Sequence, residues 1–252
     1  MTVTLEGGCR VSDMREGEPL VNGTLRIWNR IGRATGAQAI SLRVMEFAPG
    51  SSPLIRNHEC DEILYVLDAG TRPGKIIINE CAFAVGADSG IYIRPEQTFA
   101  IHNPGPDAVT VISSQCPDPA REPEFVSAPT VAQPAADPPI VRLTDQKAQP
   151  TADRWYRVLI DERTGSTQAT QFVGSIPPGR APDHFHHYEE VLFILKGEGR
   201  MWAGESNTPI AAGSCIYLPK GQVHCVENTG EGELRLLGVF YPAGSPSVRY
   251  DV

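Results

Sequence analysis

Short apolar runs in the first half of this chain recur in the second, at an offset close to half its length. Met45-Glu46-Phe47-Ala48-Pro49-Gly50 resembles Gly174-Ser175-Ile176-Pro177-Pro178-Gly179, and Glu62-Ile63-Leu64-Tyr65-Val66-Leu67 matches Glu190-Val191-Leu192-Phe193-Ile194-Leu195. Ser89-Gly90-Ile91-Tyr92-Ile93-Arg94-Pro95 matches Ser214-Cys215-Ile216-Tyr217-Leu218-Pro219 with one extra residue, and Asn103-Pro104-Gly105 falls where Asn228-Thr229-Gly230 does. Such a repeat means two copies of one domain in tandem. The runs are rich in β-branched and aromatic residues, and 24 Gly and 22 Pro punctuate them. That is the pattern of short strands joined by tight turns, so each copy is expected to be an all-β barrel or sandwich. A single turn of helix is expected at Thr144 to Ala148. The expected division is residues 1–127, a Pro/Ala-rich linker over 128–145 that is extended from Ala128 to Pro139, and residues 146–252.

At 252 residues each half is long enough to bury a core of its own. The net charge is −8 with no Lys/Arg cluster, which argues against nucleic acid or an anionic membrane as a partner. The apolar runs are strand-sized, too short for a membrane-spanning helix. Met1 to Gly8 has no basic region followed by an apolar stretch, and the six cysteines are scattered with no C-x-x-C pair. Reduced thiols and a cytoplasmic location are therefore expected. The expected partner is a small-molecule substrate, and the chain is expected to be a monomer or a homodimer.

One constellation in the second half carries chemistry. His184 and His186 are two apart, so on a strand both face the same way, and Glu190 shares their parity. His224 follows the turn Pro219-Lys220-Gly221, and Gly197 and Gly199 allow the connection after the strand that Glu190 opens. Three neutral imidazoles and one carboxylate make four ligands for a divalent transition metal, leaving two octahedral positions open. The alternatives are ordinary surface or core histidines, or a structural zinc, whose sites are more often closed and rich in cysteine.

These residues resemble the two motifs of the cupins. Gly179, His184, His186, Glu190 and Gly197 meet G-x5-H-x-H-x3-E-x6-G with one residue fewer after the first glycine. Gly213, Pro219, Gly221, His224 and Asn228 meet G-x5-P-x-G-x2-H-x3-N without deviation. The whole chain resembles a bicupin, which implies two tandem antiparallel jelly-roll barrels and the ligands His184, His186, Glu190 and His224. Fe(II) is the favoured metal, with Mn, Ni, Zn or Cu as alternatives, one ion per chain.

In the first half the motif has decayed. Aligning Glu62 with Glu190 puts His58 opposite His186 but Arg56 opposite His184, and the last histidine's position falls on Phe99 or Ala100. His102 is displaced by two or three positions. An arginine cannot ligate a metal, so the first barrel is expected to be a metal-free scaffold. Alternatives are a weaker site of His58, Cys60, Glu62 and His102, or an anionic group held by Arg56.

Around the second-half ligands, Arg180, Asp183, Tyr188 and Gln222 are candidates to orient a ligand or touch substrate. Leu192, Ile194 and Val226 share the ligands' parity and are expected to wall the pocket, whereas His187 and Glu189 should point away. Resemblance to quercetinase-like bicupins favours a dioxygenase acting on an aromatic or enolic molecule. The alternatives are a non-oxidative isomerase, decarboxylase, lyase or hydrolase, and a non-catalytic small-ligand binder.

Overall fold

The computed structural model describes residues 1–128, 139–248 and 250–251. Most of the expected extended linker, residues 129–138, lies outside the described residues. Two barrels of antiparallel strands stand side by side, each made of a large and a small sheet. Among the described residues the helical elements are all single 3-10 turns, one of them Leu143–Asp145, beside the turn expected from the sequence. Among the described residues no helix is long and apolar enough to cross a membrane. All six cysteines are free thiols.

The repeated apolar runs explain how the barrels meet. Strand Asp61–Asp68 sends Leu64 and Val66 into its own barrel, while Ile63 and Tyr65 enter a second core lying between the barrels. Strand Glu189–Lys196 does the same, with Leu192 and Ile194 inside and Val191 and Phe193 in the shared core. Alternation along a strand gives each face every second residue. Because both faces are buried, no polar residue interrupts the run, and the strand reads as continuously apolar.

Each barrel also lends a strand to the other. Arg10–Asp13 pairs with Ser214–Leu218 in the large sheet of the second barrel, and Val3–Thr4 extends that sheet further. Reciprocally, Ile140–Arg142 pairs with Ser89–Ile93 in the first barrel. A division at residues 127 and 146 therefore does not follow the sheets: residues 3–13 belong to the second barrel's sheet and residues 140–142 to the first's. The borrowed strands are short and partly polar, so their sequence carries no sign of which sheet they join. Their placement covers what would otherwise be open sheet edges.

Two buried carboxylates fasten the seam in matching ways. Asp61 Oδ2 accepts hydrogen bonds from the Ser166 hydroxyl (2.9 Å) and the Gln168 N–H (3.3 Å), and its Oδ1 accepts from Tyr92 (2.9 Å). Glu189 accepts from the N–H groups of Gln38 (2.8 Å) and Ala39 (2.7 Å) and from Tyr217 (2.5 Å). Each carboxylate thus satisfies donors on a loop of the other barrel, and Tyr92 and Tyr217 occupy repeat-related positions. Removing one leaves several buried donors without an acceptor, each costing about 1–3 kcal/mol. Glu189→Ala is expected to lower stability by roughly 2–4 kcal/mol, read as a lowered urea-unfolding midpoint. A midpoint equal to that of the unmodified protein would show that the seam does not depend on this carboxylate.

Candidate metal centre

The second barrel brings its histidines together through strand register. His184 lies on the two-residue strand His184–Phe185, held between His224–Asn228 on one side and Tyr250–Asp251 on the other, and it pairs directly with His224. Gly221 has φ +77°, a conformation that glycine adopts without strain. Its N–H donates to the carbonyl of His186 at 2.8 Å, tying the turn before His224 to the segment carrying the other histidines. Asn228 is a strut: its amide donates to the carbonyls of Ile176 (2.8 Å) and Gly232 (2.7 Å), and its Oδ1 accepts from Gly230. Asn103 makes the same bonds in the first barrel, to Phe47, Asp107 and Gly105. The retention of this motif asparagine in both halves is thereby a matter of folding.

One ring nitrogen from each of His184, His186 and His224 lies within 4.8 Å of the others. His184 Nδ1 is 3.0 Å from the carbonyl of Pro182, and His224 Nδ1 is 2.8 Å from that of Gln222. A carbonyl can only accept, so in both rings Nδ1 carries a proton, and Nε2 is the nitrogen left to ligate a metal. Tyr188 lies flat on His186, with ring centroids 4.5 Å apart and 10° between the planes, and Phe240 stacks on the far face of Tyr188 at 4.5 Å. Glu190 stands one step outside the histidine trio, its Oε2 3.6 Å from His186 Nε2.

Burial decides the charge of these groups. It pulls His186 down to about 3, with the neighbouring His224 and His184 adding to the effect. It pulls His224 down to about 4, again helped by His184. Burial alone pushes Glu190 up to about 8. Among the described residues no hydrogen-bond donor compensates the Glu190 carboxylate. Three converging imidazoles beside a buried, uncompensated carboxylate are a donor set that fits a divalent transition metal.

The histidines and Glu190 line a cavity of about 140 Å³. Tyr188, Leu192 and Val226 form part of its wall, together with Tyr156, Phe172 and Leu236. Ile194 has the expected parity but sits deeper, fully buried in the barrel core. Arg180 and Asp183 face elsewhere. The Arg180 guanidinium lies 4.2 Å over Trp202, 3.0 Å from Asp183 and 3.2 Å from Cys225 Sγ. Gln222 serves His224 through its backbone carbonyl, and its own amide donates to the carbonyl of Val223. His187 packs on Tyr250 and Phe185, and Glu189 reaches the first barrel, so both turn away as their parity requires.

Sequence reading missed the contributions from distant segments. Thr151, Arg154, Pro246 and Ser247 also line the cavity. Arg154 shares strand parity with the buried Tyr156 and Val158, a usable signal for facing inward. The carbonyl of Pro182 and the tail residues left no such signal.

The first barrel is filled where the second is hollow. Ile55 pairs with Phe99 as His184 pairs with His224, and both are packed in the core. Ile55, not Arg56, therefore stands opposite His184. The first copy has one more residue between this strand and its glutamate, which displaces an alignment anchored on Glu62. Arg56 turns outward to Glu96 (2.5 Å) and Glu124 (3.9 Å), His58 Nε2 lies 2.8 Å from Glu124, and His102 is exposed beside Ser51. Glu62 is buried against Arg43 (2.5 Å), Ser113 (2.8 Å) and Gln115 (3.3 Å). These residues do not converge on one point, and among the described residues the His184, His186 and His224 trio is the one cluster suited to a metal.

Comparison with known proteins agrees with this architecture. A family model described as "Cupin domain" matches residues 172–240. An uncharacterized protein of Aquifex aeolicus is 30% identical over 109 residues, which is 37% of this chain and 88% of that protein. The oxalate-binding protein of Thermotoga maritima is 38% identical over 66 residues; the match takes in 25% of this chain and about half (54%) of that protein. Oxalate decarboxylase of Bacillus subtilis superposes with a TM-score of 0.73 at 15% identity, covering 92% of this chain and 76% of the other. Two tandem jelly-roll barrels, one of them carrying a histidine cluster, define a bicupin. This chain belongs to the cupin family.

The charge states above have a measurable consequence. At pH 7 His186 and His224 are already neutral, whereas Glu190 is mostly protonated and must lose its proton to ligate. Metal binding is expected to release about one proton from Glu190 at pH 7, and this release should vanish as the pH rises above about 8. Calorimetric titration in buffers of different ionisation enthalpy measures it. Glu190→Gln should lower the number released by about one, and an unchanged number would place Glu190 outside the coordination sphere.

Proposed function

We propose that this protein is a metal-dependent enzyme whose centre is His184, His186 and His224 with Glu190, and that it is a dioxygenase acting on a small aromatic or enolic molecule. The observation that carries this reading is the trio of imidazoles, two with Nδ1 tied to a backbone carbonyl, opening into a cavity walled by rings and aliphatic side chains. Bound there, Fe(II) would supply open positions for dioxygen and an ionised substrate oxygen; Mn, Ni, Zn or Cu would fit the same donors. Tyr156, Phe172, Leu192 and Leu236 exclude water and hold an apolar substrate face. Tyr188 fixes the plane of His186 by stacking.

A non-oxidative reading also has a specific support. The likeness to oxalate decarboxylase extends over both barrels, and a metal acting as a Lewis acid needs no oxidant. Two measurements separate these readings. Metal content after native purification should be about one ion per chain, falling to near zero in His184→Ala and His186→Ala with the far-ultraviolet dichroism unchanged. Turnover of the iron-loaded protein should consume oxygen and stop under anaerobic conditions. Equal turnover without oxygen would replace the dioxygenase with a lyase or isomerase, and a protein that retains ligand binding without metal would be a binder.

A further inference from the structure

One charged residue of the cavity is not used by the centre itself. Arg154 lines the cavity, and no other lysine or arginine among the described residues does. It opens the strand Arg154–Ile160 and shares parity with the buried Tyr156 and Val158, while Trp155, packed beneath Arg157 and Arg235, also reaches the cavity wall. Arg154, Trp155 and Ser175 also line a neighbouring groove of about 260 Å³ beside Pro177 and Glu231. Arg154 therefore stands at the entrance, where the groove meets the cavity.

Its hydrogen bonding leaves it available. Nε is 2.9 Å from Oδ1 of the exposed Asp153, a contact of little strength in water. The two terminal nitrogens have no protein partner among the described residues, although the side chain is only 18% exposed. A guanidinium with its planar fork free, set over an apolar cavity, matches a carboxylate in geometry and charge. Apart from the three histidines and Glu190 at the far end, the polar side chains on the wall, Thr151, Trp155, Tyr156, Ser175, Tyr188 and Ser247, are uncharged groups. A cavity of about 140 Å³ is close to the roughly 150 Å³ apolar cavity that holds one benzene ring.

We propose that Arg154 determines specificity by taking the carboxylate of a single-ring or short-chain organic acid. The acid's apolar body lies against Tyr156, Phe172 and Leu236, and its far end reaches the imidazoles. This deepens the reading of the site given above and rests on it. An acid with no carbon body, such as oxalate, would leave the apolar wall unused.

Benzoate and its uncharged counterpart benzamide test this when titrated into purified full-length protein, metal-free and metal-loaded, by saturation-transfer NMR and by the fluorescence of Trp155. Benzoate is expected to bind about tenfold to a hundredfold more tightly than benzamide. Arg154→Gln should remove that preference, Arg154→Lys should keep part of it, and the metal content of both variants should stay that of the parent. Benzamide binding as well as benzoate, a preference that survives in Arg154→Gln, or no saturable binding of benzoate would each overturn the proposal. Metal content is read separately. A preference that follows Arg154 in a protein that takes up no metal would sustain the carboxylate site and refute the metal centre.

Discussion

The apolar seam between the barrels is the constraint on which the rest depends. Strands Asp61–Asp68 and Glu189–Lys196 each bury side chains on both faces, one face in their own barrel and one in the shared core. Fully burying a leucine-sized side chain is worth about 1.5–3 kcal/mol, so a core shared by residues of both halves makes separation of the barrels costly. Borrowed strands and crossed carboxylates then fix how the two halves sit, because the hydrogen bonds of Asp61 and Glu189 are directional where the apolar contact is not. Glu189 immediately precedes Glu190. The residue that grips the first barrel and the residue facing the histidines thus alternate on one strand, so the seam also positions the centre.

Much of this was legible in the sequence, and the legible parts share a physical origin. The strand pattern and the shared face of His184, His186 and Glu190 are local, since they follow from side-chain alternation; His224 is marked by the turn just before it, and the repeat shows because these local patterns recur. What was not legible depends on register between distant segments. Nothing in Arg10-Val11-Ser12-Asp13 says that it pairs with Ser214–Leu218. The misplaced Arg56 is the same failure at smaller scale: one added residue reverses which side chains face the barrel, and only pairing with Phe99 reveals that Ile55 is the inward one. Arg180 and Asp183 are near the ligands in sequence yet lie on the outer face, whereas Arg154, thirty residues before His184, lines the cavity.

The two copies make a controlled comparison of one buried carboxylate position. Glu62 and Glu190 occupy matching places on matching strands, both shielded from water. Burying a carboxylate costs several kcal/mol unless a partner compensates it. In the first barrel Arg43, Ser113 and Gln115 all donate to Glu62, so the cation is built into the chain. Ile55 and Phe99 take the positions that His184 and His224 hold in the second barrel, and both are packed in the core. In the second barrel the arginine's counterpart is missing and the space is lined by imidazoles, so Glu190 is left to hold its proton. An internal guanidinium answers this electrostatic requirement for Glu62, and a bound divalent cation would answer it for Glu190. The two copies therefore differ in whether the cation that compensates the buried carboxylate is part of the fold.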